Sequence, residues 1–224
     1  MGSPISVYFS LNYLVILLYY YLSSSGNLVL SGDAIESPNY TVVHSEPDLE
    51  IRLYVESSWM SALAQGTTSF EKSTKYGFHR LYQYIHGGNL NHSKIPMTAP
   101  VLTSINSSSS PRADYFVRLS LPASYGGNPP QPNSELKLQL DKWRSHCIAV
   151  RKFSGFAEDD NVSKEIEALV NSLNKHLTGK ATMVEDGSYY SIAQYNSSNH
   201  LSGRLNEVWI NVFAEGCPRY QGKY

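Results

Sequence analysis

No lysine or arginine occurs before Arg52, and no run of basic residues follows it; the net charge of the 224-residue chain is −1. A nucleic-acid partner or an anionic membrane surface calls for a basic field, so neither is expected. The chain has no HExxH, no CxxC and no His/Cys quartet, which argues against an intrinsic metal site. No GxSxG nucleophile elbow is present either. Cysteine is scarce: Cys147 and Cys217 allow one intramolecular pairing, and once paired they leave no Cys/His nucleophile. What is present suffices for a core, with 42% hydrophobic and 17% charged residues. Seventeen tyrosines suit strands and core edges as readily as a ligand pocket.

The first segment, "ISVYFSLNYLVILLYYYL" (5–22), carries no charge. Ser6, Ser10 and Asn12 interrupt it early, so the dense apolar stretch is Tyr13–Leu22, about the length of a signal-peptide core. Small residues follow at 23–26 and 31–34, and Gly32 and Ala34 suit cleavage after Ala34, although a basic n-region is missing. A cleaved signal peptide is the favoured reading; an uncleaved signal anchor and a buried helix are the alternatives. On the favoured reading, residues 1–34 are leader and linker, 35–215 the domain and 216–224 a tail. The destination is then the secretory pathway (extracellular space, apoplast or vacuole), with no stable membrane span after cleavage. Sequons at Asn39, Asn91, Asn106, Asn161 and Asn196 exceed chance modestly and agree with it. An oxidising compartment favours a Cys147–Cys217 disulfide; in a cytosolic chain both would be small buried hydrophobes.

Beyond the leader, "YTVVH" is a short strand, and "LEIRLYVE" (49–56) alternates with Leu49, Ile51, Leu53 and Val55 on one face, a half-buried strand. Segment 58–66 is its antiparallel neighbour. The period changes at 69–88. Phe70, Thr74, Gly77, Phe78, Leu81 and Ile85 recur at helical spacing, Ser69 is a candidate N-cap and Gly87-Gly88 a stop. Beside that apolar face runs a second stripe: Lys75, His79, Tyr82 and His86. Strands are expected at 115–122, 136–141, 146–155, 189–195 and 206–212, with an amphipathic helix at 159–177. The order strand, strand, helix, extended segment at 49–103 returns at 136–195, offset by about 87–90 residues. This predicts one domain of two similar halves sharing one curved sheet, with both helices outside and no linker between halves. In "KIPMTAPV" (94–101), Pro96 and Pro100 each lack a backbone donor and push Ile95 and Ala99 toward extended geometry. Its expected role is architectural, bringing the chain off the helix into the sheet at an edge.

"YTVVHSEPDLEIRLY", "GFHRLYQYIHGGN", "KIPMTAPV" and "GRLNEVWINV" occur in that order between about Tyr40 and Val212. Together they closely resemble the SOUL haem-binding protein family. The resemblance implies an α+β fold: a distorted eight- or nine-stranded β-barrel flanked by two helices, built from a pseudo-two-fold repeat. It implies non-covalent binding of haem or another tetrapyrrole by a carrier, buffer or scavenger rather than an enzyme. In the family the ligand lies against the outer stripe of the first helix and a loop before the last strand. Carried onto this chain, the ligand-binding set is Lys75, Phe78, His79, Tyr82, Gln83 and His200. Lys75 would meet a propionate; His79 and His200 are candidate axial ligands of haem iron. Gln83 is uncharged and His200 shorter than the bases the family can place there, so the cationic rim is only partly kept. Ordinary solvated helix surface is the competing reading for these side chains, His86 included. His44, His92, His146 and His176 are expected to be structural.

Two other function classes stay open: a small-molecule hydrolase or sensor using the same barrel groove, and a ligand-free interaction protein. Glu50, Glu56 and Glu207 are the acids nearest strands, and no spacing singles out a dyad. A monomer is expected.

Overall fold

The computed structural model describes residues 35–64, 69–106, 113–125, 128–184, 189–195 and 203–218. Among these residues there are ten strands: β1 (Tyr40–Glu46), β2 (Leu49–Tyr54), β3 (Ser57–Ala64), β4 (Val101–Asn106), β5 (Asp114–Ser120), β6 (Leu138–Trp143), β7 (His146–Ser154), β8 (Ala181–Met183), β9 (Tyr189–Gln194) and β10 (Leu205–Ala214). Two helices accompany them, α1 (Phe70–Ile85) and α2 (Val162–Leu177). The architecture is α+β, as the resemblance implies, although the strands number ten. They form one antiparallel sheet in the order β1-β2-β7-β10-β9-β4-β5-β3-β6, with three-residue β8 on the far end of β10. Among the described residues this path runs open from β1 to β6, so the curled sheet is barrel-like without closing.

The repeat is real and longer than the sequence pattern suggests. One half is β2-β3-α1-β4-β5 and the other β6-β7-α2-β9-β10. In the first, β5 pairs with β3 and β4; in the second, β10 pairs with β7 and β9. Exchanging the halves carries the β3–β6 pair into β7–β2, and carries the central β4–β9 pair into itself. The added members, β5 and β10, are what join each half into a continuous sheet.

Alternation along the strands gives the sheet two faces. On one face α2 sets Val162, Ile166, Leu169, Leu173 and Leu177 against Ile51, Ala149, Val208 and Ile210. On the same side α1 sets Leu81, Tyr84 and Ile85 against Met60, Ala62, Val117 and Leu119. A fully buried Leu such as Leu169 contributes about 1.5–3 kcal/mol of transfer free energy. The opposite face is also buried, around Tyr54, Trp59, Leu102, Trp143, Ile148 and Trp209. That corrects the half-buried reading of β2: Arg52 and Tyr54 are buried on the second face, whereas Leu53 is half-buried and Val55 exposed. The curl closes the second face upon itself, so positions expected in water lie inside.

Cys147 on β7 and Cys217 beyond β10 form a disulfide with a Cα–Cα distance of 5.8 Å. It ties the segment after β10 to the cluster beneath α2. No described helix is long and apolar enough to cross a membrane. The proposed leader, residues 1–34, lies outside the described residues.

Candidate functional site

Ser69 caps α1, its hydroxyl accepting from the Lys72 amide at 3.1 Å. The helix buries Phe70, Ser73, Gly77, Leu81, Tyr84 and Ile85. Gly77 is the point of closest approach: a Cβ there would stand 2.4 Å from Val117 Cγ2 on β5, so a larger residue would lift the helix off the sheet. Thr74 and Thr103 share a hydroxyl hydrogen bond of 2.8 Å that fastens α1 to β4. After Ile85 the chain turns at Gly87, whose φ of 106° suits glycine. With that face fixed, residues i, i+4 and i+7 from Lys75 must point outward.

Accordingly Lys75, His79, Tyr82, Gln83 and His86 are all exposed along one side of α1. Phe78 is half-buried, packing on the core below while its ring lies 6.1 Å from Tyr82. Tyr82 is 46% exposed and stacks on His86 with ring centroids 3.9 Å apart. The result is an aromatic strip, Phe78–Tyr82–His86, with Lys75 at its start and His79 one turn further on. Among the described residues the face is open, not enclosed. It suits a flat apolar plate laid on a helix better than a small ligand that must be surrounded. His200 and its loop lie outside the described residues.

The octapeptide sets the path of the chain from the helix into the sheet. Ile95 is buried and its amide donates to Ile85 O at 2.9 Å, the Thr98 hydroxyl donates to Ser120 O at 2.6 Å, and the Ala99 amide donates to Glu36 O at 2.9 Å. The Ala99–Pro100 peptide is cis, and the regular strand begins only at Val101. The expectation of an edge strand is corrected here: β4 sits centrally between β5 and β9. Both prolines precede the ladder, so neither missing N–H interrupts it.

Sequence reasoning overlooked the polar cluster on the second face. Arg52 is 1% and Glu207 2% exposed. Two guanidinium nitrogens donate to Glu207 at 2.9 and 3.1 Å, and Glu207 also accepts from Tyr195 Oη and Trp209 Nε1, both at 2.8 Å. Glu50 pairs with Arg52 from the other side at 2.7 Å. Burial disfavours the Arg52 cation, but the Glu207 carboxylate more than offsets that and holds the guanidinium charged. Burial also raises the Tyr54 and Tyr195 phenols well above their ordinary value. This explains the NEVW motif physically: its Glu and Trp face inward on β10, the Glu neutralising an arginine from β2 and the Trp indole donating to that Glu. The signal was Arg52 between apolar neighbours in "LEIRLY". Among the described residues the Glu207 carboxylate is fully engaged by its Arg52, Tyr195 and Trp209 donors.

A cleft of about 360 Å³ does exist, elsewhere. Its walls are Glu36–Asn39, Val55–Ser58, Ser120–Ala123 and Lys142. Among the described residues, none of those carried over from the family lines it. Glu36 on its wall accepts from the Ala123 amide at 2.8 Å. Of the histidines away from α1, two face carboxylates: His44 meets Glu46 at 2.9 Å, and His176 meets Asp48 at 3.2 Å. His146 is buried, its Nδ1 within 2.7 Å of Arg144 O. Among the described residues no three His, Cys, Asp or Glu side chains converge as metal ligands. Of the sequons, Asn39 and Asn91 are exposed and Asn106 half-buried. Asn161 spends its side-chain amide on Phe156 O at 2.8 Å, and Asn196 lies outside the described residues.

A curled antiparallel sheet of two pseudo-symmetric halves, with an open aromatic and cationic helix face, defines a small α+β ligand-binding class. Residues 35–211 match the SOUL heme-binding protein family, and the chain belongs to that family. It is 30% identical to heme-binding protein 2 of Mus musculus over 183 residues, covering 79% of this chain and 86% of that protein. Against heme-binding protein 2 of Homo sapiens the identity is 30% over 186 residues, covering 80% and 87%. The solved C-terminal domain of EcmrR shares the fold at a TM-score of 0.52 and 10% identity, covering 78% of this chain and 98% of that one.

Proposed function

We propose that this protein binds haem or a closely related tetrapyrrole non-covalently, on the outer face of α1, as a carrier, buffer or scavenger. The observation that carries the reading is the exposed strip Phe78–Tyr82–His86 flanked by Lys75 and His79, in a chain of the SOUL family. Two relatives 30% identical to it are heme-binding proteins by name. The residues present suit the ligand. The aromatic strip offers apolar contact area, Lys75 a partner for a propionate, and exposed imidazoles a donor for iron. Binding rather than catalysis is the role. The protein acts as a monomer in the secretory pathway after removal of residues 1–34, with Asn39 and Asn91 the sequons best placed for glycans; His200 completes the site from its loop. The uncharged segment 5–22 and the disulfide favour that compartment.

The test is titration of the secreted protein with hemin and with metal-free protoporphyrin, followed by Soret absorbance and tryptophan quenching. Saturable binding of both supports the reading, and absence of both refutes it. One observation attaches to the alternative of a small-molecule hydrolase or sensor: the cleft, with Glu36 and Glu56 on its walls. Turnover of an ester or glycoside lost in Glu56→Gln would favour that reading instead.

A further inference from the structure

His86 differs from the other exposed histidines of α1 in how its ring is held. Nδ1 lies 2.9 Å from the backbone oxygen of Tyr82, one turn back. A carbonyl oxygen only accepts, so Nδ1 carries the hydrogen. In the neutral ring Nε2 then keeps its lone pair, and the ring plane is fixed a second time by the stack on Tyr82 at 3.9 Å. An imidazole whose other nitrogen donates to a backbone carbonyl is the usual preparation of a histidine that binds a metal, because the second contact sets tautomer and orientation. Nε2 is left pointing away from that contact, on a residue that is exposed.

The loop after the helix brings a cation back to the same place. Asn89 is fully buried at its centre. Its amide donates to Tyr84 O at 3.0 Å and Ser93 O at 2.8 Å, and its carbonyl accepts from the Ser93 amide at 3.1 Å. With both polar atoms of the Asn89 side chain engaged, the loop from Gly87 to Ser93 closes, and Lys94 pairs with His86 as an antiparallel bridge. Lys94 is exposed. Lys75, eleven residues before His86, stands about 16 Å away along the helix at 1.5 Å per residue. The nearer cation to His86 is therefore Lys94.

We infer that His86, through Nε2, is the protein ligand to haem iron, with Lys94 at the propionate edge, so that the porphyrin covers the C-terminal end of α1. This rests on the haem-binding reading above and replaces His79 as the candidate ligand on the helix. One protein donor suffices, since the porphyrin supplies four nitrogens. No electron transfer or bond cleavage is involved; the Nε2 lone pair forms the bond to iron.

The experiment compares wild type, His86→Gly, His79→Ala and Lys94→Ala by hemin titration with absorbance and electron paramagnetic resonance, and by titration with metal-free protoporphyrin. Glycine suits the helix end, so His86→Gly keeps the fold. Its hemin affinity is expected to fall roughly 10- to 100-fold, the scale of disturbing a metal site, with loss of the imidazole-ligated spectrum. Its protoporphyrin affinity should stay near wild type, and added imidazole should restore the spectrum. His79→Ala should keep the imidazole-ligated spectrum whatever affinity it loses as part of the binding face, and Lys94→Ala should weaken hemin and protoporphyrin alike by about fivefold. An unchanged hemin spectrum in His86→Gly overturns the inference while leaving haem binding intact. Equal losses for hemin and protoporphyrin in His86→Gly overturn it too, because they mark a stacking role. If wild type binds neither compound, the haem-binding reading itself fails and the inference falls with it.

Discussion

Ser104 and Ser191, 87 residues apart in the chain, share a buried hydroxyl hydrogen bond of 2.7 Å where β4 pairs with β9. The two halves of the protein meet at this pair, near the axis that exchanges them. Ser104 Oγ also accepts from Arg118 Nη1 at 2.6 Å, and Arg118 is paired with Asp141 at 2.8 Å. Ser104→Ala thus leaves a buried guanidinium short of an acceptor and Ser191 short of a partner. The expected cost is about 1–3 kcal/mol, read as a lower denaturant midpoint at unchanged slope.

Removing the carboxylate from the Arg52–Glu207 pair should cost more. Glu207→Ala strands a buried guanidinium and frees the donors of Tyr195 and Trp209. Loss is expected at about 3 kcal/mol, the lower end for a broken buried pair, because Glu50 still faces Arg52. Urea denaturation gives the size. At low urea, where the variant is folded, its hemin affinity should match wild type, since the pair lies on the face of the sheet away from α1.

Reducing the Cys147–Cys217 bond, or replacing both cysteines by serine, opens a loop spanning 70 residues. In the chain-entropy account this removes about 4 kcal/mol of stability. Thermal melts with and without reductant check it: wild type should fall to the melting point of the double variant, which itself should not respond to reductant.

Acid should act in two separate windows. Burial holds the His146 imidazole below its ordinary 6.5, with the Arg144 carbonyl working the other way. The unfolded chain therefore takes up a proton that the native chain resists, and this share of stability is lost as pH falls from about 6.5. Asp48 is lowered by its Ser172 hydrogen bond. Glu50 is raised by burial but lowered further by Lys152 and Arg52. Their contributions are present above about pH 4 and disappear only below it. His146→Phe should flatten the stability profile between about pH 7 and 5 and leave the steeper loss below pH 4 in place.

Much of this was legible in local pattern. Ser69, the 3.6-residue period and Gly87 mark α1 to within one residue, and the i, i+4 spacing of Lys75, His79 and Tyr82 gives the exposed strip. Long-range pairing was not legible. Alternation in "LEIRLY" shows that β2 has two faces, but only its pairing with β7 in a curled sheet puts Arg52 inside. The central place of β4 depends likewise on β9, nearly ninety residues on. The cleft draws on four separate segments, which no window of sequence joins. Lys94 reaches His86 because buried Asn89 closes the loop between them, and "GGNLNHS" gives at most the turn.

The central claim is that the ligand lies on α1, and paramagnetic broadening of backbone amide resonances by bound hemin tests it most directly. With isotope-labelled protein and substoichiometric hemin, amides from Lys75 to Lys94 should broaden first, most strongly around Tyr82 and His86. Gallium protoporphyrin, which is diamagnetic, should shift the same resonances without erasing them. If the broadened set is instead Glu36, Asn39, Glu56, Ser58 and Lys142, haem occupies the cleft and the helix-face account is wrong.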